Sequence, residues 1–540
     1  MTRGRALACV LFAAGSLAIA GLAAWRPLVA AGAAGGTALI LLSMRSPAVG
    51  LVTILAGIAL LGSDSILRLR LGVEIVEADL VLLAAGAGAA ARWIAGGGSL
   101  RATRLDIAFA AFAALVLFGA YRGIARGADF PLLRSELRPP LYLLVTYALA
   151  RGAMGTRTDG GAASARGWRL THRVVFAALI AVSVATAVKV LFVYASVPLG
   201  IPGGEEQRIL ATRVMNSSGA KRVIAHGGEI FPVLAILLLL ANAPRIRRAG
   251  ARVAIWFALT PLFLALAISL TRSYWLGLAA GLAALLLCRP PRKGIAALAE
   301  LCGFATAAAC VVLVVQRMVE GFSLRALWEP IGGRLGGLLA GRPDTSALER
   351  LAETEGVKEA LRSSPWFGTG WGGTYVFYSP EAHGFREWEY IHNSYAHYLL
   401  KLGLAGALVI GALLALGSAA FAGWLRAAPD EEEKALAAGL LSGFVAILAI
   451  SLTAPWLTHY VGCAWTGLVL GTAEARRCAC AARTAVPATA TAPAVTATAV
   501  TLAAPVVRNA PAAPVPVARS AQAPEPTPRA AGALLAEPTP

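Results

Sequence analysis

The chain has 540 residues, of which 58% are hydrophobic and 14% charged, with a mean hydropathy of +0.68 and a formal net charge of +19. An ordinary soluble protein carries roughly 25% charged residues, so a soluble globule is excluded, and so is disorder as the main state. The seven cysteines lie in apolar runs or in the C-terminal tail, which excludes a disulfide scaffold.

A helical span needs about 20 mainly apolar residues. Such runs centre on residues 6–24, 28–43, 47–62, 79–96, 105–121, 139–151, 174–197, 223–242, 253–270, 273–288, 295–315, 395–424, 436–453 and 456–473. The reading is all-α, a polytopic membrane bundle of about 12–14 transmembrane helices. The runs are continuous rather than alternating, which argues against a barrel. The first follows MTRGR and continues through Ala24 without a cleavage site, so it reads as an uncleaved span.

Arginine-rich connections alternate with poorer ones. Arg45, Arg151, Arg169, Arg173, Arg245, Arg289, Arg476 and Arg477 fall in the richer set. The positive-inside rule then places both termini in the cytoplasm. It also assigns the basic excess to membrane lipids rather than to nucleic acid, since no basic face interleaved with aromatics exists.

Four parts follow: N-terminal helices 1–252, a core 253–415, helices 416–475, and a tail 476–540 rich in Ala, Pro and Thr, expected to be disordered in the cytoplasm. Within the core, 316–394 is a long hydrophilic connection on the outer side, and loops of that length are often functional.

Four stretches carry polar residues at the outer face. In 269–275, SLTRSYW, Arg272 sits in a tight turn between two apolar helices; its planar fork suits phosphate, while snorkelling to headgroups is the plainer account. In 389–406, a helix starting near Asn393 puts Asn393, His397 and Lys401 on one face, with His392 at its entrance as a proton acceptor or simply a capping group. No metal-ligand spacing is present, because His392 and His397 are five apart. In 363–375, SSPWFGTGWGGTY, Gly368 and Gly370 beside Trp371 make a tight turn that lets backbone approach a ligand, without the Lys of a P-loop. The segment 199–229 gathers Arg208, Arg213, Lys221, Arg222 and His226, either a solvated loop or an arginine site for an anionic headgroup.

Together these elements resemble the O-antigen ligase/O-antigen polymerase family of bacterial membrane glycosyltransferases. The resemblance rests on Thr271-Arg272-Ser273, then Pro365-Trp366-Phe367-Gly368-Thr369-Gly370, then His392-Asn393-Ser394-Tyr395 followed by Leu402-Gly403-Leu404-Ala405-Gly406. It implies a periplasmic, metal-independent and cofactor-free inverting transfer from an undecaprenyl-diphosphate-linked glycan. The acceptor would be lipid A core or another glycan, in the bacterial inner membrane beside other polysaccharide-assembly proteins. It also implies roles: Arg272 and Arg213 (Arg208 the rival) on the diphosphate, His392 on the acceptor, and Arg350 upstream of the Gly-x-Gly element. Thr271 in place of Ser, and Lys401 where an acidic residue is common, depart from the family pattern. The alternative is a flippase for lipid-linked oligosaccharide or another secondary transporter, with Lys189 and Glu300 as residues on a path.

Overall fold

In lipid a backbone must satisfy its own hydrogen bonds, and apolar runs of this length do so as helices. The structure, a computed structural model, describes residues 27–61, 69–70, 74–75, 77–96, 102–154, 162–196, 212–217, 220–225, 230–246, 248–289, 345–485 and scattered positions between 292 and 336. The predicted span 6–24, Arg208, His226 and the tail beyond 485 lie outside them.

The helices in order are α1 (Pro27–Arg45), α2 (Pro47–Leu61), α3 (Glu77–Gly96), α4 (Arg104–Ala125), α5 (Phe130–Met154), α6 (Ala162–Ser196), α7 (Ile230–Asn242), α8 (Ala249–Ser269), α9 (Arg272–Leu287), α10 (Thr345–Arg362), α11 (Ser394–Ala427), α12 (Glu431–Ile450) and α13 (Tyr460–Ala485). Three two-stranded antiparallel hairpins interrupt them: β1–β2 (Leu69–Arg70, Glu74–Ile75), β3–β4 (Thr212–Ser217, Ala220–Ala225) and β5–β6 (Tyr375–Ser379, Gly384–Trp388). The protein is an all-α polytopic membrane protein.

Five described helices are long and apolar enough to cross a bilayer: α4, α8, α11, α12 and the Arg169–Tyr194 part of α6. That is fewer than the run count predicts. Helices α2, α7 and α9 are apolar but short, while α5 and α13 carry Arg, Glu and Lys-pairing groups along with their apolar faces. Two boundaries also differ. Helix α5 starts at Phe130 and runs through Pro139 and Pro140, and α13 continues past Arg477 into the stretch expected to be tail.

Close packing depends on small residues, as lipid supplies no hydrophobic drive between helices. Gly467 and Gly471 of α13 lie against the carbonyls of Leu143 and Tyr147 in α5, and Gly277 and Gly281 of α9 lie against Ile450 and Ser442 of α12. A side chain at any of these would push the helices apart.

The starts of α9, α11 and α13 and the end of α12 meet at one end of the bundle. Ser394 N donates to Ser451 O (3.0 Å), Leu457 N donates to Ser394 Oγ (3.2 Å), and Tyr274 packs on Trp456 at 5.8 Å. The opposite end holds the ion pairs Arg169–Asp430 (2.9 Å), Arg173–Glu432 (2.9 Å) and the buried Arg476–Glu433 (2.7 Å). Those arginines belong to the richer set of connections.

Candidate functional site

Helix α11 opens with Asn393 as its N-cap, whose side chain accepts from Tyr395 N and Ala396 N. It then breaks at Gly403, where φ is 65° and ψ −160°. A break strands backbone groups that lipid cannot satisfy. The turn 365–370 satisfies them: Thr369 N donates to Leu400 O (2.7 Å), Gly370 N to Lys401 O (3.0 Å), Leu404 N to Pro365 O (2.9 Å) and Ala405 N to Trp366 O (3.0 Å). The turn thus threads the gap in the helix. Gly368 and Gly370 adopt φ of +63° and +85°, and a Cβ on Gly370 would come within 2.6 Å of Gly123 N.

The turn is tied to the N-terminal half. Trp371 is fully buried, its backbone N–H donating to Gly119 O and its Nε1 to Val116 O, both in α4 at 3.1 Å. Arg122 donates to Ser364 Oγ (2.8 Å) and Gly368 O (3.0 Å); Arg126 donates to Gly368 O (3.3 Å) and Thr369 O (3.2 Å). Buried Lys401 pairs with Glu136 of α5 at 2.6 Å and donates to Gly373 O, while Gly372 N donates to Glu136 at 2.5 Å. Lys401 therefore has its own carboxylate from another helix.

His392 stands immediately before α11, with 37% of its side chain exposed. Its Nδ1 lies 2.7 Å from Glu353 Oε1, and its backbone N–H donates to Glu353 Oε2 at 3.0 Å. Glu353 comes from α10 and its side chain is 3% exposed. A carboxylate only accepts, so Nδ1 carries the proton and Nε2 of the neutral ring is the acceptor. Tyr390 packs edge-on against the imidazole at 5.0 Å. Burial, then the Glu353 carboxylate, push its hydroxyl well above the usual range, with Arg350 opposing; Arg350 thus lies in the electrostatic neighbourhood of the pair.

Arg272 is the first residue of α9. Leu270 (φ 50°) turns the chain back, and Thr271 takes the N-cap position with extended backbone and no side-chain capping bond. Through Tyr274 and Trp456 this turn adjoins the start of α11, so Arg272 and His392 share one end of the bundle. The 199–229 segment is not simply a loop: Arg213 lies in β3 opposite Ile224, and Val223 of β4 lines a small cavity with Ser269, beside the Arg272 turn. Trp371 and His397, both singled out in the sequence, are buried with their rings 6.1 Å apart. Gly368 and Gly370 bond to protein backbone.

Sequence reasoning missed Glu353 and Glu136. Glu349, Glu353, Val357 and Leu361 recur every fourth residue, and this spacing marks the inward face of α10. Glu136 had no such signal.

Residues 257–411 match the family model described as O-antigen ligase, and this interval contains the Arg272 turn, α10, the threaded turn, His392 and the break in α11. No curated protein matches the chain. Residues 257–411 of this chain are therefore similar to an O-antigen ligase domain.

Proposed function

We propose that this protein transfers a glycan from an undecaprenyl-diphosphate-linked donor to an acceptor hydroxyl, on lipid A core or on a second carrier-linked glycan, at the periplasmic face of the bacterial inner membrane. The observation that carries the reading is the Glu353–His392 pair at the end of the bundle that also bears Arg272.

The acceptor hydroxyl attacks the anomeric carbon from the face opposite the diphosphate. Its proton passes to His392 Nε2, the new glycosidic C–O bond forms, and the old C–O bond breaks to release the carrier diphosphate. A positioned base of this kind contributes about 10²–10⁴-fold. Glu353 fixes the tautomer and stabilises the imidazolium that forms. Arg272, with Arg213 from the neighbouring hairpin, offsets charge that grows on the diphosphate as the bond breaks. Inversion at the anomeric carbon follows from the single displacement.

The transporter reading loses support at two points. A discontinuous helix in a transporter offers its freed backbone groups to an ion; here the groups freed at Gly403 are taken by the threaded turn. Glu300, a candidate path residue, pairs with Arg252.

The test is complementation of a deletion strain with His392→Ala and Arg272→Ala proteins that insert at wild-type levels, scored by surface glycan. Loss of glycan attachment or elongation is expected. Wild-type glycan from both variants overturns the proposal. In the deletion strain itself, unattached chains of normal length identify a ligase, and single repeats on the acceptor identify a polymerase.

A further inference from the structure

Arg122 lies in the last turn of α4 and Arg126 is its C-cap. Among the described residues neither Arg122 nor Arg126 takes part in an ion pair, and both guanidiniums reach the same carbonyl, that of Gly368, at 3.0 and 3.3 Å. Two like charges are thereby held side by side at the rim. Their bonds to Ser364, Gly368 and Thr369 use only part of the five N–H donors each guanidinium offers, so holding the turn does not exhaust them.

The surroundings are apolar and open. Phe118 and Phe367 meet edge to face at 5.1 Å, and the Arg122 guanidinium lies 6.0 Å from each ring centre. Below them Leu117, Tyr121 and Ile124 are 72, 68 and 63% exposed, and their spacing puts them on one face of α4. That exposed face continues down to Ala114. One leaflet of hydrocarbon is about 15 Å deep, or about ten helical residues, the stretch from Ile124 to Ala114.

We propose that this rim is a binding site for an anionic glycerophospholipid, its phosphate on Arg122 and Arg126 and its acyl chains along the exposed face of α4. The charge pair alone would suit any phosphate; the apolar face directly beneath it, one leaflet deep, selects a lipid. The bound headgroup would sit against the carbonyl side of the threaded turn, coupling the lipid environment to the segment that fills the break in α11. The site is separate from Arg272 and His392, and its test does not depend on glycan transfer.

The full-length protein in non-ionic detergent is titrated with fluorescent short-chain phosphatidylglycerol and with phosphatidylcholine of the same chains. At about fivefold per arginine near an anionic headgroup, phosphatidylglycerol should bind about 25-fold tighter. Arg126→Gln should cut that preference about fivefold, Arg126→Lys should keep most of it, and Arg122→Gln with Arg126→Gln should abolish it. An unchanged preference in the double variant overturns the proposal. If the double variant aggregates, the exposed single variant Arg126→Gln decides, and an unchanged preference there overturns it equally. Displacement of the lipid by millimolar inorganic phosphate would show a free-anion site instead and would also refute it.

Discussion

Glu353→Gln isolates the proposed role of the buried carboxylate with little change in shape. The carboxylate makes two bonds to His392, one to Nδ1 at 2.7 Å and one from the backbone N–H at 3.0 Å, from a side chain 3% exposed. Glutamine keeps the volume but has one acceptor oxygen, so its amide must face one of the two donors. The charge that would stabilise an imidazolium also disappears. A hydrogen bond to a charged group is worth about 1.5–3 kcal/mol. At about 1.4 kcal/mol per decade, kcat should fall about 10- to 150-fold. The KM for the lipid-linked donor should hardly move, since Glu353 lies behind the imidazole. Purified protein assayed with lipid-linked donor and acceptor, normalised to monodisperse protein, reads this directly. A Glu353→Gln enzyme with wild-type kcat beside an inactive His392→Ala enzyme would refute the proposed coupling.

Lys401→Met leaves Glu136 buried without its cation and should cost about 3–5 kcal/mol, read as a lower melting temperature, whereas Lys401→Met with Glu136→Leu should regain most of it. A single variant as stable as wild type would refute the pairing. Gly403→Ala puts a Cβ into the Phe367 and Trp366 backbone at a positive φ, and should lower both melting temperature and yield of folded protein; normal melting would contradict the threaded turn. Arg476→Gln at the opposite end should destabilise by about 3–5 kcal/mol through the stranded Glu433, yet leave kcat per folded molecule unchanged. A selective loss of kcat there would place the chemistry at the wrong end.

Sequence alone revealed the helical membrane class, because apolar runs are a property of single segments. It also predicted a turn at Arg272, a helix starting near Asn393 and a tight turn at Gly368 and Gly370, each a local signal. The break at Gly403 was hidden: the Leu-Gly-Leu-Ala-Gly stretch reads as an unbroken apolar helix, and glycine there is equally suited to helix packing. Glu353 was hidden for another reason. It sits in a charged helix whose packing on β5 and α11 turns Glu349 and Glu353 inward, on the face shared with Val357 and Leu361, and leaves Glu355 and Glu359 in solvent. Lys401–Glu136 could not be read at all, since its partners are brought together by the tertiary fold.

The threaded turn has a consequence for how such chains can be recombined. Its supports are Gly119, Arg122, Gly123 and Glu136, all encoded upstream of the matched interval 257–411. A chimera exchanging only that interval would carry a keystone cut for one arch into the span of another, so the smallest transferable cassette must include α4 and α5 from the same parent.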